Sequence, residues 1–174
     1  LIEGVEAIPG TALHDGIRWE WETFPEYLDA LEHLPRTIDV ATQIPHGALR
    51  VYAMGRRGAE PERATADELE KMAALVREGI RAGALAFSTN RLPLHTSIHG
   101  DPVPGTFADR DELRALARAV VDGGGHLVQC VPAGSMGEDP DGPVRAVELY
   151  RELSAATGAA ITFPMAQVHA HRAL

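Results

Sequence analysis

The chain has 174 residues, 45% hydrophobic and 24% charged, enough for one domain with its own core. Sixteen Lys and Arg against 25 Asp and Glu give a net charge of −9, which argues against nucleic acid and against an anionic membrane surface as partners. No apolar run reaches the ~18 residues of a membrane span, and the single cysteine, Cys130, excludes an intrachain disulfide or a CxxC metal site and fits a reducing, cytoplasmic setting.

The opening LIEGVEAIPG lacks the basic stretch and apolar run of a signal peptide. It starts on Leu1 rather than Met, as an internal piece of a longer protein would. Trp19 and Trp21 alternate with Glu20 and Glu22 and are expected to pack against a barrel bottom or a neighbouring domain. A first helix follows Thr23, with Glu26 three residues on as in a capping box, and its apolar stripe is Phe24, Leu28 and Leu31. The apolar run TIDVATQI (37–44) is expected to be a strand, and PHGALR after it a strand-end loop.

A second helix opens on Thr65 and Glu68, carries Leu69, Met72, Ala73, Val76 and Ile80 on one face, and ends at Gly83. The strand ALAFS (84–88) and a long loop (89–108) come next. A third helix starts at Asp109 with Glu112, buries Leu113, Leu116, Val120 and Val121, and stops at the glycines 123–125. Then come the strand HLVQCV (126–131), the loop 132–142, a fourth helix from Gly142-Pro143 to Gly158, and the strand AITFPMAQ (160–167). The strands are near-continuous apolar runs, the pattern of a parallel sheet covered on both faces. Helix and strand alternate four times, which makes this an α/β chain, either an open sheet or part of a barrel. Four strands cannot close a barrel of about eight, and unprotected strand edges predict self-association into a homo-oligomer.

With these elements placed, the sequence resembles the N-acyl-D-amino-acid deacylase (D-aminoacylase) branch of the amidohydrolase superfamily, over roughly residues 1–128. The resemblance rests on EGVEAIPG, WEWETFPEYLDALEHLP, PHGALRVYAMG, ATADELEKMAALVREGIRAGALAFSTNR and PVPGTFADRDELRALARAV, in that order. It implies that residues 1–174 are an incomplete TIM (β/α)8 barrel domain of the metal-dependent hydrolase type, about four βα units, with parts missing at both ends. It also implies a small-molecule substrate, an N-acyl amino acid or related amide, and zinc in the full-length enzyme, where the ion activates water and polarises the scissile carbonyl.

In that family an HxH pair on the first strand and a bridging cysteine lie upstream of the position of Leu1, so most zinc ligands are expected outside this chain and the chain alone is expected to be inactive. Cys130 is not in the place of that cysteine. Where the family carries ligand histidines after two later strands, this sequence has Gln129 and Gln167.

The substrate-binding candidates stand at strand ends, where barrel sites collect. His46 and Arg50 would orient substrate or grip a carboxylate, unless they only tie down their own loop. Ser88 and Arg91, with Thr89 between them, would contact a substrate carboxylate, or the hydroxyls cap the loop backbone. His169 and His171 form an HxH, but two ligands do not make a site and HAHR reads more simply as a solvated loop. His95 and His99 lie in the proline-flanked loop, and His14, His33 and His126 have no evident partner. The alternative to an enzyme is a non-catalytic α/β binding or assembly module. A complete small open-sheet hydrolase would need its own nucleophile, and no GxSxG is present.

Overall fold

The computed structural model describes residues 8–97 and 99–164. A short helix α1, Gly10–Gly16, which the sequence pattern did not predict, leads into a cluster of Trp19, Trp21, Tyr27 and Phe24, whose ring centroids stand 5.3–5.9 Å apart in successive pairs. Helix α2, Phe24–Glu32, starts as predicted: the Glu26 amide donates to the Thr23 hydroxyl and the Thr23 amide to the Glu26 carboxylate, closing the capping box.

Four parallel strands follow, β1 (Gln43–Pro45), β2 (Ala86–Asn90), β3 (Leu127–Val131) and β4 (Ala160–Thr162), hydrogen-bonded in the order β1-β2-β3-β4. The sheet is open. Helix α4, Ala66–Ala82, runs between β1 and β2, α5 (Arg110–Asp122) between β2 and β3, and α6 (Gly142–Thr157) between β3 and β4. Every strand steps one place in the same direction, so crossovers of the usual hand put all these helices on one face. This is the architecture of part of a TIM barrel, in which helices ring the outside.

Register assigns the faces. The row Ile44, Phe87, Val128 and Ile161 meets the helices and, with Met72, Val76, Leu116, Val120, Leu149 and Leu153, forms the core. Thr89 pairs with Cys130 on the same face. The row Pro45, Ser88, Gln129 and Thr162 points the other way. Among the described residues the strands are therefore covered by helices on one face, not on both as their apolar character predicted. Hydrophobic runs come from the core-facing row alternating with small or amide residues such as Ala86, Ser88 and Gln129.

Capping follows the sequence closely. Thr65 and Glu68 close a second box on α4, and Gly83 ends that helix at φ 118°. Gly158 ends α6 at φ 83°. The strands are less faithful. Of the predicted strand 37–44 only its end is strand, shifted to Gln43–Pro45; its bonding to the β2 side begins with the Leu85 amide on the Thr42 carbonyl, and residues 37–41 lie ahead of that bond. Ile38 and Val40 there are left 73% and 52% exposed. The last strand is Ala160–Thr162, and residues 165–167 of its predicted span lie outside the described residues.

The largest correction concerns PHGALR. It is not a loop: His46–Met54 forms helix α3 directly off the end of β1. Pro45 is its N-cap, and a 3-10 turn, Gly55–Ala59, follows it. The four-residue spacing of His46 and Arg50 is thus one turn of helix, and both side chains fall on its buried side with Leu49 and Met54.

Candidate functional site

The C-terminal ends of β1 and β2 carry a buried polar cluster of four residues from three elements. His46, on the first turn of α3, is 2% exposed, Arg50 one turn on is 2%, Thr89 of β2 is 5% and Glu112 of α5 is 3%. The imidazole is held at both nitrogens: Nε2 lies 2.8 Å from Glu112 Oε1 and Nδ1 lies 2.8 Å from Thr89 Oγ1. Phe87 meets the ring edge-on at 5.1 Å.

Arg50 Nη1 donates to both Glu112 oxygens at 2.6 Å. Its other nitrogens donate to backbone carbonyls, Nη2 to Glu62 at 2.6 Å and Nε to Gly58 at 3.3 Å. The guanidinium thus binds the turn after α3 to α5. A side chain at Gly58 would collide with the Arg50 carbonyl, so this turn approaches α3 more closely than any Cβ permits.

Electrostatics follow from burial. Burial pushes the Glu112 carboxyl up, but hydrogen bonds from His46 and Arg50 and the Arg50 charge more than offset it, so the group stays ionised below the usual carboxylate range. Burial lowers His46; the Glu112 carboxylate acts in the opposite sense, and the charges of Arg50 and Arg91 add to the lowering. A neutral His46 facing an ionised carboxylate carries its proton on Nε2, which leaves Nδ1 to accept from the Thr89 hydroxyl.

Both shifts have the same consequence. A histidine and a carboxyl with depressed folded pKa values stabilise the fold above their unfolded values, and that stability is lost as pH falls. The unfolded chain takes up the extra proton on His46 below about pH 6.5 and on Glu112 below about pH 4.3. The melting temperature is expected to fall as pH drops from about 7 to about 5, before the general acid denaturation of carboxylates sets in. A His46→Gln variant should flatten that slope; an unchanged slope would assign the loss to other groups.

The predicted substrate contacts do not converge on one point. His46 and Arg50 lie together in the helical layer. Ser88 is on the opposite face of the sheet, half-buried, with its hydroxyl 3.5 Å from the Ile44 carbonyl and with Gln129 as its register neighbour. Arg91, just past β2, donates through Nη1 to the Ala108 carbonyl at 2.8 Å, and its amide bonds the Val131 carbonyl. His95 Nδ1 lies 2.5 Å from Asn90 Nδ2, and the His99 amide donates to the Ser97 hydroxyl. His33 bonds the Asp29 carbonyl at 2.6 Å. His169, His171 and Gln167 lie outside the described residues.

Cys130 faces the helices from β3, 1% exposed, and burial pushes its thiol up to about 12 against the pull of Arg91. It is a packing residue in the described structure.

Glu112 is the residue that the sequence did not single out. As the third residue of α5 it reads as the reciprocal half of a capping box with Asp109, and its amide does donate to Asp109 at 2.9 Å. Its carboxylate, however, goes to His46 and Arg50. The available signal was phase: Glu112 is one turn before Leu116 and shares the buried face with Ala119 and Val120.

Comparison with known proteins decides the family. Residues 2–172 match the amidohydrolase family. The chain belongs to it. An uncharacterized protein of Mycobacterium tuberculosis is 32% identical over 159 residues, covering 86% of this chain, and one of Mycobacterium bovis matches equally. The D-aminoacylase of Alcaligenes xylosoxydans xylosoxydans is 33% identical over 82 residues, 47% of this chain. The chain spans 25% of the mycobacterial proteins and 16% of the D-aminoacylase. No solved structure matches with significance.

Amidohydrolases commonly use a metal, and the described residues do not fit one. Among them no three His, Cys, Asp or Glu side chains form a group that could hold a metal ion. The nearest histidine–carboxylate pair, His46 and Glu112, is spent on protein partners at every ring nitrogen and both carboxylate oxygens. Among the described residues no helix is long and apolar enough to cross a membrane.

Proposed function

We propose that this chain is one part of a zinc-dependent amidohydrolase barrel that hydrolyses the amide C–N bond of a small N-acyl amino acid, with the D-series as the substrate class, and that it acts in the cytoplasm. The family match along residues 2–172 carries this reading. The identity with the D-aminoacylase supports the substrate class, and an open sheet in consecutive parallel order is what a segment of a barrel would contribute.

On this reading the zinc ligands belong to parts of the protein outside the described residues. The face carrying Ser88 and Gln129 belongs to the barrel interior, where Ser88 is the substrate contact this chain offers, while Arg91, just past β2 and bonded to the Ala108 carbonyl, would contribute from the strand end. His46 and Arg50, closed off from solvent, would act on substrate only through what they hold.

The test is release of free amino acid from N-acetyl-D- and N-acetyl-L-amino acids, assayed with zinc. The longer protein carrying this segment is expected to hydrolyse the D-series preferentially, and the 174-residue chain alone to release nothing. A zinc-loaded longer protein inert toward every N-acyl amino acid would overturn the reading and favour a binding or assembly module.

A further inference from the structure

We infer that Glu112 is a positioning residue for the segment 91–108, acting through the His46 ring; the functional importance of that segment rests on the amidohydrolase reading above. Residues 91–108 leave the sheet at the C-terminal end of β2, the end at which barrel enzymes assemble their sites. The segment is fastened within itself: Arg91 bonds the Ala108 carbonyl, Val103 N–H the His95 carbonyl, and Ser97 N–H the Asp101 carbonyl.

Its seat on the rest of the molecule is different in kind. Gly105, at φ 94°, lies against the His46 ring so closely that a Cβ there would be 2.6 Å from Nδ1 and 3.0 Å from Cε1 and Cγ. One residue earlier, the Pro104 carbonyl sits over Gly47, where a Cβ would meet it at 3.2 Å. The segment therefore rests on the first turn of α3, with a histidine ring as its platform.

The ring cannot turn while both nitrogens are bonded. Thr89 fixes one from β2, and Glu112 fixes the other from α5, the helix that the segment itself enters. Glu112 also anchors Arg50 and so the turn carrying Gly58 and Glu62. One carboxylate thus sets the plane of the ring and, through Gly105, the height of the segment over the strand ends.

Thr89 offers a test that spares the ion pair. In the longer protein, Thr89→Ser keeps the hydroxyl that holds Nδ1, while Thr89→Val removes it at nearly constant volume. Thr89→Val is expected to speed hydrogen exchange of amides 92–108 at least about tenfold, leaving α4 at its wild-type rate, and to lower kcat/KM for the N-acyl amino acid about tenfold or more. Glu112→Met, which leaves Nε2 with no partner whichever tautomer it takes, should speed exchange of amides 92–108 beyond the general rise that its lost stability brings to α4, and Thr89→Ser should match the wild type. Equal exchange changes in the segment and in α4, or an unchanged segment in Thr89→Val, would overturn the inference. If the wild type has no deacylase activity, the substrate reading fails, while the exchange comparison still decides the positioning role.

Discussion

Glu112→Gln is expected to lower folding stability by about 3–5 kcal/mol, the range found when one partner of a buried ion pair is removed. The loss falls on Arg50 more than on His46. A neutral imidazole can exchange tautomers, accepting at Nε2 from the Gln amide and donating from Nδ1 to the Thr89 hydroxyl. The guanidinium cannot. It keeps its charge and loses the counter-charge together with one of the two acceptor oxygens at 2.6 Å, and the amide oxygen and the Gly58 and Glu62 carbonyls it still holds do not neutralise it.

A double-mutant cycle checks this. Removing Arg50 as well, in Arg50→Met/Glu112→Gln, is expected to cost less than the sum of the single changes by about 1–3 kcal/mol, because the stranded charge is gone. Urea denaturation of the four proteins measures the cycle. A Glu112→Gln variant within about 1 kcal/mol of wild type would mean that the cluster is hydrated in solution rather than dry.

Gly105→Ala is expected to cost about 3 kcal/mol, from two sources that do not share atoms. The backbone there has φ 94°, in which a residue with a Cβ is strained by about 1–2 kcal/mol. The methyl would also be 2.6 Å from His46 Nδ1, and the ring, bonded on both sides, cannot retreat without losing a hydrogen bond. Overpacking of that kind costs about 1–3 kcal/mol. Gly100 in the same segment has φ 86° with open space around it, so Gly100→Ala isolates the backbone part. Gly105→Ala should exceed Gly100→Ala by the steric part, and equal losses would show that the histidine ring yields.

The amino-acid sequence by itself determined the α/β cadence, the three long helices with their caps and stops, and the family. Those features are local or periodic: Thr23–Glu26, Thr65–Glu68 and Asp109–Glu112 cap their own first turns, and Gly83 and Gly158 need only their own backbone freedom. Short runs that lean on neighbours were less legible. Residues 37–42 are as apolar as a strand, yet a strand needs a partner to bond, and α3 forms from PHGALR because its buried side has Phe87 and Glu112 to meet.

The candidate site was legible by residue type and position but not by arrangement. His46 and Arg50 stood out, whereas the carboxylate joining them is 66 and 62 residues away in sequence and was disguised as a helix cap. Only the tertiary structure decided that β2 runs on through Thr89 with Thr89 toward the helices and Ser88 away from them, and that Gly105 comes to rest on His46. No local pattern encodes such meetings, since they depend on the register of β1 on β2 and on the depth at which α5 packs against both.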